Sequence, residues 1–145
     1  MSGEIQFAVP GNPVGKGRAK AARRGNYVTM YTPQKTVNYE SLVAYSAHIA
    51  MNGRALITGA VTVDLDIRVQ IAESWSHKKK KQAVDGVIHP TKKPDIDNVE
   101  KAIFDGMNGV VWKDDVQVIS VSKRKRYSDV PGVFVIVREI QSTIY

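Results

Sequence analysis

The stretch from Lys92 to Asp115, KKPDIDNVEKAIFDGMNGVVWKDD, gathers six of the chain's fourteen acidic residues into one short segment. Asp95 and Asp97 stand two positions apart, so an extended entry places them on one side of the chain. Asp97 opens a helical pattern, and Lys101 follows four residues later on the same helical face. Asp114 and Asp115 come after the short connection from Gly109 to Lys113. If that connection turns the chain back, it returns Asp115 towards Asp97. Carboxylates brought to one point repel one another and stay ionised together when a cation neutralises them. A hard divalent ion with oxygen ligands suits such a set, and Mg²⁺ uses few carboxylates while keeping waters for a substrate phosphate. That ion can activate a water and stabilise charge building on a phosphate. Lys101 is placed to stabilise the phosphate or its leaving oxygen.

Spacing alone leaves a second reading open. Asp97 with Glu100 three positions later resembles a helix capping box, and Asp95 can cap a helix equally well. By the same reasoning, Asp114 and Asp115 form a solvated turn and Lys101 is a surface lysine paired with Asp97 or Asp105. The histidines add little to a metal site: His77 adjoins a lysine run, His89 precedes Pro90 in a loop, and His48 lies within a helix. Without cysteine, disulfides and cysteine-ligated zinc are excluded.

The elements that must position these residues follow from hydrophobic periodicity. Ile5 to Val9 reads as a first strand, ended by Pro10 and Pro13. Gly11 to Asn26 is rich in glycine and basic residues and reads as a mobile loop, with Tyr27 to Tyr31 a short extended return. Pro33 starts a helix that runs to Met51, where Val37, Leu42, Tyr45 and Ile49 recur at helical spacing, and Asn52 and Gly53 stop it. From Ala60 to Ile71, apolar and polar residues alternate as in a strand with one buried face. Ser74 to Val84 is a short basic helix, and Pro94 to Asn108 a second amphipathic one with Val99, Ala102, Ile103 and Met107 as its stripe. Val116 to Val121 and Val133 to Ile140 read as strands joined by a hairpin turn within Asp129 to Gly132. This order predicts an α+β fold with a small mixed, largely antiparallel sheet and helices packed on one face. The length of 145 residues suits one domain over 1–145.

The net charge of +7 favours a polyanionic partner. The basic residues fall in three clusters, Gly15 to Arg24, Lys78 to Lys81 and Lys123 to Arg126. Lys16, Arg18, Lys20, Arg23 and Arg24 of the first are the candidates for gripping the phosphate backbone of a polyanionic partner, which beside the carboxylate set means a nucleic acid. In the third, alternate residues face opposite sides of a strand, so at most half meet one DNA surface. Trp112 reads as a packing anchor beside the Asp pair, while Trp75 and Tyr27 are candidates for contact with bases. No apolar run approaches the ~20 residues of a membrane span. The N-terminus lacks a secretory pattern. A cytoplasmic protein is expected, with no membrane partner.

The segment PDIDNVEKAIFDGMNGVVWKDDVQV resembles the RusA family of Holliday junction resolvases. That family's pattern is an Asp-x-Asp-Asn opening a helix, a Lys one turn on, a Phe-Asp late in the helix, and a short linker with Trp leading to Asp-Asp and Gln-Val. This chain meets it with Asp95, Asp97, Asn98, Lys101, Phe104, Asp105, Trp112, Asp114, Asp115, Gln117 and Val118. The resemblance implies that Asp95, Asp97 and Asp115 are the acidic metal-binding and catalytic residues, with Asp114 the adjacent acid and Lys101 the catalytic lysine. It implies a bacterial or phage-encoded homodimer that resolves four-way DNA junctions by paired nicks with Mg²⁺ or Mn²⁺, in recombination and repair. Two alternatives are a non-catalytic nucleic-acid-binding module and a nuclease acting on other branched DNA such as flaps and forks.

Overall fold

The alternation of Val61, Val63, Leu65, Ile67 and Val69 with polar residues forms the central strand of the fold, and all five apolar side chains are buried. The computed structural model describes residues 3–17 and 19–141. Its strands are β1 (Glu4–Pro10), β2 (Lys20–Arg24), β3 (Tyr27–Tyr31), β4 (Val61–Gln70), β5 (Val118–Ser128) and β6 (Gly132–Glu139). Its helices are α1 (Gln34–Met51), α2 (His77–Val84) and α3 (Ile96–Met107), and a turn of 3-10 helix spans Asp115–Gln117. The main sheet has the order β1-β6-β4-β5, while β2 and β3 pair separately. Among the described strands, β4 and β5 pair in parallel, and β1 with β6 and β4 with β6 are antiparallel. The architecture is the α+β fold with a mixed, mainly antiparallel sheet that the sequence predicts.

The crossover between the parallel strands β4 and β5 contains α2, α3 and the 3-10 turn. Parallel neighbours require such a long connection, and here that connection carries all the acids of interest. The α3 stripe is buried as expected, with Val99, Ala102, Ile103 and Met107 at 1% exposure or less. It joins Val43 and Ala47 of α1 and the inward residues of the sheet in one core. The two helices approach closely at Gly106, where a Cβ would stand 2.6 Å from Val43 Cβ. Glycine is required there by packing rather than by backbone angle.

The other face of β4 is polar. Asp66 accepts hydrogen bonds from Arg68 at 2.9 Å, Arg124 at 3.2 Å and Arg126 at 3.0 Å. Burial pushes the Asp66 carboxyl up, but hydrogen bonds from Arg126, Arg68 and Arg124 outweigh it and hold the group well below the usual carboxylate range. Arg138 similarly ties Asp64 at 2.7 Å to Glu4 at 2.9 Å across three strands.

Three expectations change. The β5–β6 connection is not a hairpin, because β4 lies between those strands; the strongly alternating strand takes the central place where it pairs on both edges. The segment from Gly11 to Asn26 is not one loop, since Lys20–Arg24 pairs with Tyr27–Tyr31 across Gly25 and Asn26, with Gly25 at φ +64°. This is a two-residue hairpin turn, which favours a positive φ. On α1, the buried face is Thr36, Tyr39, Val43, Ala47 and Met51, whereas Val37, Tyr45 and Ile49 are exposed. The apolar content of α1 is spread around the helix, so periodicity identifies the helix but not its inward face.

Candidate active site

Asp95 is the N-cap residue of α3, with extended backbone at φ −73° and ψ 146°, yet its side chain makes no capping hydrogen bond. Asp97, in the first turn, has a side chain 87% exposed and is held at 2.9 Å by the ammonium of Lys123. Neither carboxylate is used to cap the helix, so the capping reading does not account for them. It does account for Asp114. That side chain accepts from Val116 N at 3.3 Å at the start of the 3-10 turn, with Gln117 completing a capping box.

The connection from α3 to Asp115 turns the chain back on the helix. Gly109, at φ +78°, donates to Trp112 O at 2.7 Å. Trp112 is fully buried, donates from Nε1 to Asn108 Oδ1 at 2.6 Å, and packs edge-on against Phe104 with ring centroids 5.4 Å apart. It is the packing anchor expected of it. Gln117 then fixes the Asp pair: its Oε1 accepts from Lys113 N at 2.9 Å and Asp114 N at 3.1 Å, and its Nε2 donates to Ile57 O at 2.8 Å and Gly59 O at 3.0 Å. Asp115 thereby comes within 4.0 Å of the Lys101 ammonium.

A chain of alternating charges holds this junction. Lys16 bridges Glu40 of α1 and Asp105 of α3, the latter at 3.1 Å, and Asp105 also meets Lys101 at 3.1 Å. Burial pushes the Asp115 carboxyl up, and the neighbouring Asp114 and Asp105 push it further while Lys101 opposes them. Hydrogen bonding and charge from Asp105 hold Lys101 firmly protonated, its pKa above the ordinary lysine value. The Lys101 side chain is still 57% exposed, so an anion can reach it from solvent.

All the candidate donors are carboxylate oxygens, which fit a hard divalent cation by type, and like-charge crowding at Asp115 is what such an ion relieves. Among the described residues, no three aspartate, glutamate or histidine side chains stand close enough to enclose a metal ion. Lysines hold the two ends of the set instead, Lys123 at Asp97 and Lys101 at Asp115.

Lys123 and Lys125 project from the same side of edge strand β5 as α3, Lys125 donating to Lys92 O at 2.8 Å and Pro94 O at 3.0 Å. Arg124 and Arg126 project to the other side and hold Asp66. The basic cluster is thus divided between two faces, as strand alternation requires. Of the first cluster, Lys16 is committed to Glu40 and Asp105, while Lys20 and Arg23 lie on the exposed β2–β3 hairpin. Arg18 and the side chain of Arg24 lie outside the described residues. The glycines beside Lys16 allow close backbone packing: Lys16 N donates to Asn98 O at 2.8 Å and Gly17 N to Thr36 Oγ1 at 2.9 Å. Sequence reasoning missed Glu40 and the bridging of Asp97 and Glu100 by Lys123. These contacts join residues far apart in the chain, and no local spacing reports them.

A family model described as endodeoxyribonuclease RusA matches residues 10–138. The chain is also similar to a Bacillus subtilis (strain 168) protein described as uncharacterized protein YqaN, with 36% identity over 140 residues, 95% of this chain and 98% of that one.

Proposed function

The chain belongs to the RusA family of endodeoxyribonucleases, and from that premise we propose that it hydrolyses phosphodiester bonds at four-way DNA junctions, with Mg²⁺ as its cofactor and Mn²⁺ as a substitute. The observation that carries this reading is the return of Asp115 to within 4.0 Å of Lys101 on α3, against a helix start whose acids are free of capping duty.

In this reading Asp95, Asp97 and Asp115 would hold the ion, with Asp114 beside them. Once bound, it would neutralise charge building on the scissile phosphate and make an attacking water more acidic. Lys101, firmly protonated and exposed, contacts the phosphate or the departing oxygen. Asp105 and Lys16 orient Lys101 by the charge chain from α1. Gln117 keeps Asp115 in place. Lys20 and Arg23, together with Arg18 and Arg24, grip the DNA backbone.

Two opposed strands must be nicked to resolve a junction, so the active form is a homodimer. The exposed apolar residues Val37, Tyr45 and Ile49 of α1 offer a surface for the second copy. Such an enzyme acts in DNA recombination and repair in the cytoplasm. No described helix is long and apolar enough to cross a membrane.

The test is incubation with end-labelled four-way, forked and linear duplex DNA, with Mg²⁺ and with a chelator. Paired nicks in the four-way junction, abolished by chelation, are expected. Preferential cutting of forks or flaps would reassign the substrate, and no cutting of any DNA would leave only a binding module.

A further inference from the structure

Two neighbouring grooves lie on the approach to α3, and one of them includes Asp95. One, of about 570 Å³, runs between the end of β4, the start of α2 and the segment before α3, and includes Trp75, Lys79, His89, Lys92, Lys93 and Tyr127. The other, of about 540 Å³, includes Lys20, Lys35, Lys93, Asp95 and Asn98. Asn12 and Lys93 line both, so the two adjoin across these residues, and the second reaches a proposed catalytic acid.

The charges along this path differ from those of the site itself. Lys16, Lys101 and Lys123 are each engaged by carboxylates. Among the described residues, Lys20, Lys35, Lys92 and Lys93 have no acidic partner within ion-pair distance. Against them the grooves hold Glu73 and Asp95. Free, exposed lysines in a row suit a phosphate backbone.

The first groove also has aromatic walls. Trp75 and Tyr127 meet edge to face with centroids 5.3 Å apart, and the Lys79 ammonium lies 4.0 Å from the Trp75 ring centroid. Ile71, Ile88 and Pro90 complete the apolar side. A duplex hides its base faces by stacking, whereas an unpaired strand presents them to aromatic side chains. We propose that this groove takes unpaired nucleotides of one DNA strand at the branch point, stacking a base at Trp75 and leading the strand's phosphates past Lys92 and Lys93 to Asp95. This rests on the branched-DNA nuclease reading for its biological setting, but not for its test.

The chain has two tryptophans, and Trp112 is fully buried, so a change in emission on adding DNA reports Trp75. The full chain is titrated with short oligothymidine in chelator while tryptophan emission is followed, and junction cleavage with Mg²⁺ is measured in parallel. Saturable quenching is expected, reversed by salt. Lys92→Glu with Lys93→Glu, both at exposed positions, weakens binding by roughly ten-fold or more, as expected for loss and reversal of phosphate contacts. Trp75→Ala, followed by anisotropy of a labelled oligonucleotide, weakens it by roughly five-fold or more. Unchanged emission, or quenching equally tight in the double glutamate variant, overturns the groove assignment even if the junction is cut. Quenching without any cleavage would uphold the groove and count against the nuclease reading instead.

Discussion

The Lys123 ammonium stands 2.9 Å from Asp97 Oδ1 and 3.1 Å from Glu100 Oε1, so a cation from β5 already occupies the approach to the start of α3. A metal ion taking Asp97 as a ligand competes with that ammonium. Exposed ion pairs contribute only ~0.2–1 kcal/mol, so the competition is modest. Lys123→Met is expected to tighten Mn²⁺ binding roughly 1.5- to 5-fold, measured by calorimetry without DNA. Equal or weaker affinity in the variant would count against Asp97 as a ligand.

Gln117 ties the Asp114–Asp115 turn to Ile57 and Gly59 through four hydrogen bonds. Gln117→Leu keeps the volume and removes all four. Net contributions of ~0.5–1.5 kcal/mol per bond, partly recovered by water, give an expected loss of about 1–3 kcal/mol in denaturant unfolding. Cleavage is expected to fall further than stability does, because Asp115 loses its fixed position. A variant with parental unfolding midpoint and cleavage rate would show that Gln117 does not position the acid.

The α1–α3 contact at Gly106 admits no Cβ: one would fall 2.6 Å from Val43 Cβ and 3.0 Å from Glu40 O. Gly106→Ala favours helix intrinsically, yet overpacking of this kind costs about 1–3 kcal/mol. The thermal midpoint is expected to drop, and an unchanged or raised midpoint would mean the helices can separate without penalty.

Asp66 predicts a dependence on acid. Its folded-state pKa lies below the unfolded value, so its contribution is fully present above the unfolded pKa of about 3.9 and is lost as pH falls through the folded value. Asp66→Asn is therefore expected to unfold at lower denaturant than the parent at neutral pH. The gap should narrow only below the ordinary carboxylate range. A gap that is absent at neutral pH, or that widens in acid, would contradict the arginine clasp.

Much of this arrangement is legible in the sequence wherever local pattern determines the outcome. The alternation of β4 and the stripe of α3 mark both element and buried face, because one side of each is consistently apolar. α1 shows where this stops: its helical period is clear, but Tyr45 and Ile49 are exposed while the small Ala47 is buried. The β2–β3 hairpin did have a local signature in Gly25-Asn26, obscured by the surrounding basic residues. In the site, spacing could place Asp95, Asp97 and Lys101 on α3. It could not show that Lys16 and Glu40 brace Asp105, or that Lys123 reaches Asp97 from β5, since those contacts depend on how the crossover folds onto the sheet.

The most direct test of the central claim is a paired measurement on Asp97→Asn: four-way junction cleavage with Mg²⁺, and junction binding in chelator. The substitution keeps shape and removes the charge. Cleavage is expected to disappear while binding stays near the parental value, because the basic surface supplies the affinity. Cleavage at the parental rate would contradict the assignment of this carboxylate to catalysis.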